Sequence, residues 1–271
     1  MSPEPPARAG AVGSGLGRPR VHLRSTDSTN ERARMLAVAG APHGTLVTAA
    51  EQTAGRGRQG RRWSAPPGSS LLMSLILRSS APLLPLIAAV AVCDVVGEHA
   101  LIKWPNDIVL AAADAAHSCS DVMGGEHPPA LSKLAGILVE GRPQEGWVVL
   151  GIGVNVAVDP QELARDLRAV SAATAGERAP MPAASLGGSP ADVEPLLAGL
   201  LDALSRRLAE PAERTLEAWR ARDALAGREI SWSAGHGRAR GVDEQGRLVV
   251  TLEDGEHTAL SAGEVHLEAI S

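Results

Sequence analysis

Hydrophobic and polar positions along this chain follow two periods, and the changes between them mark out its elements. Val21 to Arg24 is a short extended run, followed by the polar turn Ser25 to Asn30 and a helix expected over Glu31 to Ala39. Thr45 to Glu51 and Ser70 to Leu77 have strand composition and flank a segment rich in Gly and Arg, Gly55 to Trp63, which must therefore be a loop. The apolar stretch Leu83 to Val96 contains Pro85 and Asp94 and is shorter than the roughly 20 residues of a membrane crossing, so it reads as a buried helix. Ala100 to Lys103 and Asp107 to Leu110 are further strands. Leu134 to Glu140 and Trp147 to Val156 are nearly continuous apolar runs, the pattern of strands buried on both faces.

Residues 111 to 132 and 171 to 190 interrupt the pattern with small, polar positions and read as surface excursions. Helices are expected over Ala191 to Ala209 and Ala212 to Arg222, where Leu196, Leu197, Leu200, Leu201, Leu204 and Leu208 form a core stripe. After Gly227 the period shortens to strands at Glu229 to Ser233, Arg238 to Val242, Leu248 to Leu252 and His257 to Leu260, a pattern that suits a small β-barrel. The expected organisation is a disordered tail over 1–20, a large domain of strands and helices over 21–225 and a C-terminal barrel over 226–271.

Composition sharpens this picture. At 271 residues with 44% hydrophobic content the chain can bury a large core, yet it has no Phe or Tyr, so ring stacking on a ligand falls to five Trp or to Arg planes. The net charge of −5 argues against bulk attraction to nucleic acid or an anionic membrane. Cys93 and Cys119 are far apart and outside any CxxC pairing, and residues 1 to 20 lack an apolar signal core, so the cytosol is the expected compartment.

Two of the 26 Lys and Arg residues are lysine, and both sit in short motifs, Lys103-Trp104-Pro105-Asn106-Asp107 and Lys133-Leu134-Ala135-Gly136-Ile137. A compact ammonium on a flexible stem serves as a movable point charge for carboxylates and phosphates, whereas Arg imposes a planar fork. The alternative is chance retention on a solvated surface. Arg56 to Arg62 offers four guanidiniums with Gly55, Gly57 and Gly60, a combination that lets backbone N–H groups approach a polyphosphate or carboxylate. It is not a P-loop, and an RNA-binding or merely solvated loop has the same composition. Trp63 reads as a core anchor or as a lid over a bound ring. Ser28, Thr29, Asn30 and Gln52 suit a small polar head group, although helix capping explains any one of them. Asp107 is placed to bind a cation, accept a proton or stabilise its loop. His117, Cys119, Asp121 and His127 lack a recognised metal-ligand spacing and read as a polar insertion.

Taken together, Ser28-Thr29-Asn30, Glu51-Gln52-Thr53-Ala54-Gly55-Arg56-Gly57-Arg58-Gln59-Gly60-Arg61, the two lysine motifs and Gly151-Ile152-Gly153-Val154-Asn155-Val156 follow one another in an order that resembles the biotin protein ligases. The resemblance runs from about Val21 to the C-terminus, where Leu260 to Val265 looks like the family's last barrel strand. It implies an α+β fold, a mixed sheet flanked by helices followed by an SH3-like β-barrel. It implies that Ser28, Thr29, Asn30 and Gln52 hold the ureido ring, and that Arg56, Gly57 and Arg58 form a loop ordering over biotin and its adenylate. Lys133, with Gly136 beside it, becomes the catalytic cation near the biotin carboxylate and the α-phosphate. Arg58, Arg61, Trp63, Lys103, Asn106, Asp107 and Asn155 become nucleotide-binding, with Asp107 also a candidate magnesium ligand and a candidate to orient the acceptor lysine.

The implied activity is ATP-dependent joining of biotin to a lysine of a biotin carboxyl carrier protein through biotinyl-AMP, with ATP and Mg²⁺ as co-substrate and ion and no tightly bound cofactor. A homodimer stays open. Only about twenty residues precede Val21, so no DNA-binding helix-turn-helix and no DNA or membrane partner is expected. Three features depart from the family pattern: the long 111 to 132 insertion, the missing aromatic after Val156 that leaves Trp63 as the candidate for adenine stacking, and Glu268 where some relatives carry Arg. The competing readings are a lipoate-handling ligase of the same fold and a non-enzymatic biotin sensor or RNA-binding module.

Overall fold

All eight residues of Ser70–Leu77 (β3) are buried, because this strand lies in the middle of a sheet covered on both faces. The two faces divide by the strand period. Leu71, Met73, Leu75 and Leu77 join the main core cluster, whereas Ile76 joins a second, smaller one with Ala33, Ala37, Val47, Trp147 and Val149. The computed structural model describes residues 15–79, 81–111, 130–161, 163, 181–261 and 265–267.

Seven strands form this sheet in the order β1-β2-β3-β7-β6-β5-β4, with β1 Arg20–Leu23, β2 Leu46–Ala49, β4 Ala100–Lys103, β5 Asp107–Ala111, β6 Leu131–Arg142 and β7 Trp147–Asn155. It is mixed: β1 and β2 run parallel and the other pairs antiparallel. Helix α1 (Thr29–Val38) covers one face through Ala33 and Ala37. On the other face lies α2 (Leu84–Val96), whose residues Leu84 and Leu86 to Cys93 are all buried. A helix apolar on every side needs cover on every side. The outer cover comes from α3 (Val193–Ala209) and α4 (Ala212–Arg220), with Leu197, Leu200, Leu204, Leu216 and Trp219 buried.

A second sheet, antiparallel throughout, has the order β11-β10-β9-β8-β12, with β8 Glu229–Trp232, β9 Gly235–Val242, β10 Leu248–Thr251, β11 His257–Leu260 and β12 His266–Leu267. Its inner residues Ile230, Ala239, Val242, Leu248, Val250 and Val265 belong to the same cluster as α2, so one core runs through both sheets. Trp104 Nε1 donates to Gly246 O at 3.1 Å and Lys103 Nζ donates to Val265 O at 2.7 Å, fastening the second sheet to the β4–β5 turn.

Four expectations need correction. Residues 15 to 20 are held rather than disordered: Gly17 N donates to Gly44 O at 2.9 Å and Arg20 opens β1. The last described strand is His266–Leu267; of the expected Leu260 to Val265 strand, Leu260 instead ends β11 by pairing with Leu248, and 262–264 lie outside the described residues. The later part of 171–190 is no surface excursion, since Lys133 exchanges backbone hydrogen bonds with Pro182 O and Ala184 N, and Ala184 is buried. Leu131 and Ser132 are not part of an excursion but pair with Ala111 and Leu110 of β5, with Leu131 buried. The insertion at 112–129, including the His117, Cys119, Asp121 and His127 group, lies outside the described residues, as do residues 1–14 and Glu268.

Candidate active site

Three glycines on adjacent strands leave a bare floor on the α1 face of the sheet. Gly136 on β6 is paired with Gly153 on β7, and Gly151 follows two residues earlier, opposite Leu138. The Trp63 ring lies on the first two. A Cβ at Gly153 would stand 2.7 Å from Trp63 Cε2, and one at Gly136 3.1 Å from Cζ3. At Gly151 the occupant is Asn30, whose Oδ1 would be 2.1 Å from an added Cβ. The missing side chains are therefore the space that Trp63 and Asn30 use.

Asn30 and its neighbours come from the start of α1. Ser28, Thr29 and Asn30 are all buried, and Ser28 makes no capping hydrogen bond with its side chain, so simple capping does not account for the group. Thr29 donates from its N and Oγ1 to Gln52 Oε1, at 2.7 and 3.0 Å. Ser74 Oγ, fully buried on β3, lies 2.9 Å from Thr29 Oγ1 and donates to Asn30 Oδ1 at 2.6 Å. Asn30 Nδ2 donates to Glu140 Oε2 at 2.8 Å. Thr29 and Ser74 carry one hydroxyl proton each for three contacts, so the network is short of a donor.

The Gly/Arg segment folds back on itself above this floor. Arg56 bridges to Arg62, Gly57 N donates to Arg61 O at 2.7 Å, and Trp63 N donates to Gly55 O at 2.9 Å. The reversal uses left-handed backbone at Gln59 (φ 54) and at Gly60 (φ 76), the second of which is a glycine and takes it without strain. Gly55 must be glycine because an added Cβ would meet Trp63 O at 2.4 Å. Arg56 pairs with Glu31 at 3.1 Å and Glu140 at 2.8 Å, which ties the loop to α1 and to the end of β6.

Lys133 reaches the floor through a bulge. In an unbroken strand Lys133 and Gly136 would face opposite sides of the sheet. The β5–β6 register pairs Ile108 with Ala135 but Val109 with Lys133, so Leu134 is an extra residue. That insertion reverses the side-chain phase. Lys133 Nζ accordingly lies 3.4 Å from a Cβ built on Gly136, and 5.7 Å from the centroid of Trp63.

The same register aligns Lys103, Asp107, Gly136 and Gly153 in one row across four strands. Lys133 Nζ is 2.6 Å from Asp107 Oδ1. The contact is electrostatic and lies off hydrogen-bond directions, and that buried oxygen accepts no hydrogen bond. Arg58 feels Asp107 and Arg61, and Lys103 feels Asp107, Lys133 and Arg61. Asp107 thus shares its one negative charge with Lys133, Lys103 and Arg58, and Arg61 acts on the latter two, so the cations outnumber the carboxylate. Burial lowers the pKa of Lys103 and of Arg58, and Asp107 partly offsets that in both. Such a site attracts anions strongly.

Of the residues read from the sequence, Ser28, Thr29, Asn30, Gln52, Trp63, Gly136, Lys133 and Asp107 come together around the floor, with Arg56, Gly57, Arg58 and Arg61 in the loop beside it. Three others are committed elsewhere in this structure. Lys103 Nζ is tied to Val265 O, Asn106 Nδ2 donates to Ile137 O at 2.9 Å, and Asn155 Nδ2 donates to Ala184 O at 2.9 Å. Ser74, Glu31 and Glu140 carry the network yet escaped the sequence reading. Ser74 had a signal, as a lone hydroxyl in Leu71-Leu72-Met73-Ser74-Leu75-Ile76-Leu77; the two glutamates had none.

The catalytic sheet, its anion site and the appended antiparallel sheet together define a class, that of the biotin protein ligase fold. The biotin protein ligase of Aquifex aeolicus in complex with biotin and ATP superposes with a TM-score of 0.67 at 22% identity, covering 93% of this chain and 99% of that one. Residues 22–157 match the Biotin/lipoate A/B protein ligase family and 233–267 match the Biotin protein ligase C terminal domain. The chain belongs to the biotin/lipoate A/B protein ligase family. It is 33% identical over 250 residues to the Biotin--[acetyl-CoA-carboxylase] ligase of Paracoccus denitrificans, covering 84% of this chain and 92% of that protein. It is 36% identical over 178 residues to the Bifunctional ligase/repressor BirA of Bacillus subtilis, covering 60% of this chain; the match spans about half (49%) of that relative's length.

Proposed function

We propose that this chain joins biotin to a lysine of a biotin carboxyl carrier domain, using ATP and passing through biotinyl-AMP. The observation that carries the proposal is the Lys133–Asp107 pair at 2.6 Å, with Arg58 in electrostatic reach, set beside a glycine floor and a polar network short of a donor. A ureido ring offers two N–H donors and one carbonyl acceptor, which suits the Ser28, Thr29, Asn30 and Gln52 group. Related proteins named as biotin ligases, and one solved with biotin and ATP, support the same reading.

A carboxylate with a pKa of roughly 4 to 5 is already ionised at neutral pH, so the first step needs no general base. Its obstacle is repulsion between two anions. Lys133 and Arg58 neutralise that repulsion and hold the carboxylate oxygen in line with the α-phosphorus. The new P–O bond forms as the bond to pyrophosphate breaks. Trp63 and the Gly/Arg loop exclude water from the resulting mixed anhydride. The carrier's deprotonated lysine amine then attacks the acyl carbon, and AMP leaves.

Mg²⁺ would enter on the triphosphate and neutralise its charge there. Among the described residues no group of three or more His, Cys, Asp and Glu could hold a metal ion. One carboxylate suits a magnesium ion that takes its remaining ligands from phosphates and water, and Asp107 would supply it once Lys133, 2.6 Å from its Oδ1, turns to the anions. No helix among the described residues is long and apolar enough to cross a membrane.

The test is transfer of labelled biotin from ATP-containing buffer to a purified carrier domain, with lipoate run in parallel. Biotin-dependent labelling of one carrier lysine is expected. Labelling by lipoate alone would move the chain to the lipoate branch of the family, and labelling by neither would end the proposal.

A further inference from the structure

Glu140 lies near the end of β6, beyond the motif that contains Lys133, and its two carboxylate oxygens serve two different parts of the site. Oε2 accepts from Asn30 Nδ2 at 2.8 Å, and Oε1 pairs with Arg56 Nη2 at 2.8 Å. We propose that Glu140 is a positioning residue that couples recognition of biotin's head group to docking of the Gly/Arg loop, holding Asn30 on one oxygen and Arg56 on the other. The inference rests on the biotin-ligase reading above.

An ionised carboxylate only accepts hydrogen bonds. Facing Glu140, the Asn30 amide must present its nitrogen, which turns Oδ1 toward Ser74 and fixes what Asn30 can offer a ligand. Without that acceptor oxygen the amide loses its partner at 2.8 Å and can turn. The second glutamate near Arg56 does not replace it. Both oxygens of Glu31 are taken by Arg34, whose hydrogen bonds hold the Glu31 carboxyl below its usual range. Arg56 touches Glu31 at 3.1 Å against 2.8 Å for Glu140. Glu140 thus closes a chain of contacts, Gln52–Thr29–Ser74–Asn30–Glu140–Arg56, from the start of α1 to the loop. A cavity of about 300 Å³, lined by Glu31, Arg34, Arg56, Glu140, Gly141 and Trp147, borders the Arg56 end and gives that side chain room to leave. A ligand that tightens its hold on Asn30 thereby strengthens the seat of Arg56, and the loop docks more firmly when the head group is bound.

Glu140→Gln separates the two duties, because an amide oxygen still accepts from Asn30 but carries no charge for Arg56. On the full chain, trypsin cleaves at the loop arginines. Cleavage without ligand should be roughly two- to fivefold faster in E140Q than in wild type, the range of one partly exposed ion pair. Biotin should slow cleavage of wild type and do so less in E140Q. In biotin-dependent ATP–pyrophosphate exchange, E140A, which loses both contacts, should raise the KM for biotin about tenfold, with kcat less affected. E140Q and Arg56→Gln should be non-additive when combined, since they break the same pair. Additive effects, or E140Q cleaved at the wild-type rate with full protection by biotin, would overturn the coupling while leaving the enzyme assignment intact. Wild-type protein with no biotin-dependent exchange would overturn both.

Discussion

Lys133 Nζ stands 2.6 Å from Asp107 Oδ1, and the two residues meet only because Leu134 is bulged out of β6. A strand without that extra residue would turn Lys133 toward α2, away from the glycine floor. Asp107 thus holds the Lys133 ammonium beside the glycine floor, where the proposed function would bring two anions together. The surrounding excess of cations means that anions compete with Asp107 for Lys133 on favourable terms.

Lys133→Ala should lower the rate of biotin-dependent adenylation by roughly 10²–10³-fold, the usual cost of losing one charge-stabilising donor. Lys133→Arg should recover only part of this, because a planar fork cannot follow the reacting oxygens as a point charge does. Single-turnover rates for the three proteins provide the check. An arginine variant as fast as wild type would show that charge alone matters at this position.

Gly151→Ala should impair biotin binding without unfolding the protein, since the new methyl collides with Asn30 while Ser74 and Glu140 hold that side chain in place. A rise in Kd of about tenfold or more is expected by titration calorimetry, matching loss of one or two buried hydrogen bonds. Gly153→Ala should instead displace Trp63 and change tryptophan fluorescence in the unliganded protein. An unchanged spectrum would place Trp63 elsewhere.

Lys103→Met removes the donor to Val265 O and leaves a buried carbonyl unpaired. The cost should be about 1–3 kcal/mol, read as a lower urea midpoint. An unaltered midpoint would mean that the lysine does not fasten the C-terminal sheet to the catalytic one.

Asp223 gives the fold a pH dependence of its own. Burial raises its pKa from 3.8 to about 6, against the lowering effect of hydrogen bonds from the Leu225 and Ala226 backbone, and its Oδ2 has no partner. The folded state therefore binds this proton more tightly than the unfolded chain does. Its contribution is fully present below about pH 4 and is lost as pH rises through about 6, a change of about 3 kcal/mol. Asp223→Asn should flatten stability between those limits, as measured by denaturant titration at several pH values. A variant with the wild-type slope would assign that dependence to other groups.

Much of this was legible in the chain. Ser70–Leu77, Ala100–Lys103 and His257–Leu260 have the boundaries their composition predicts, because flanking turn residues end them sharply. The two lysines stood out against a background of arginine, and the glycines of β6 and β7 could be seen as motifs. The bulge at Leu134 could not, since register belongs to a pair of strands and not to either one. Helix α1 begins two residues before the expected start, which brings Thr29 and Asn30 into its first turn. Pro182 to Leu186 lacked any periodicity, because it is held by backbone hydrogen bonds to Lys133 and Asn155 and not by a repeating apolar face. Glu140 looked like the polar end of a strand, and only its distances to Asn30 and Arg56 give it a role.

The central claim is that Lys133 brings a carboxylate and a nucleotide phosphate together in one shielded site. Incubating the protein with biotin and ATP labelled at the α-phosphate, without any carrier, and separating it by rapid gel filtration tests this directly. The account predicts stoichiometric retention of labelled biotinyl-AMP by the wild type and almost none by Lys133→Ala. Equal retention by both proteins, or retention that does not depend on biotin, would contradict it.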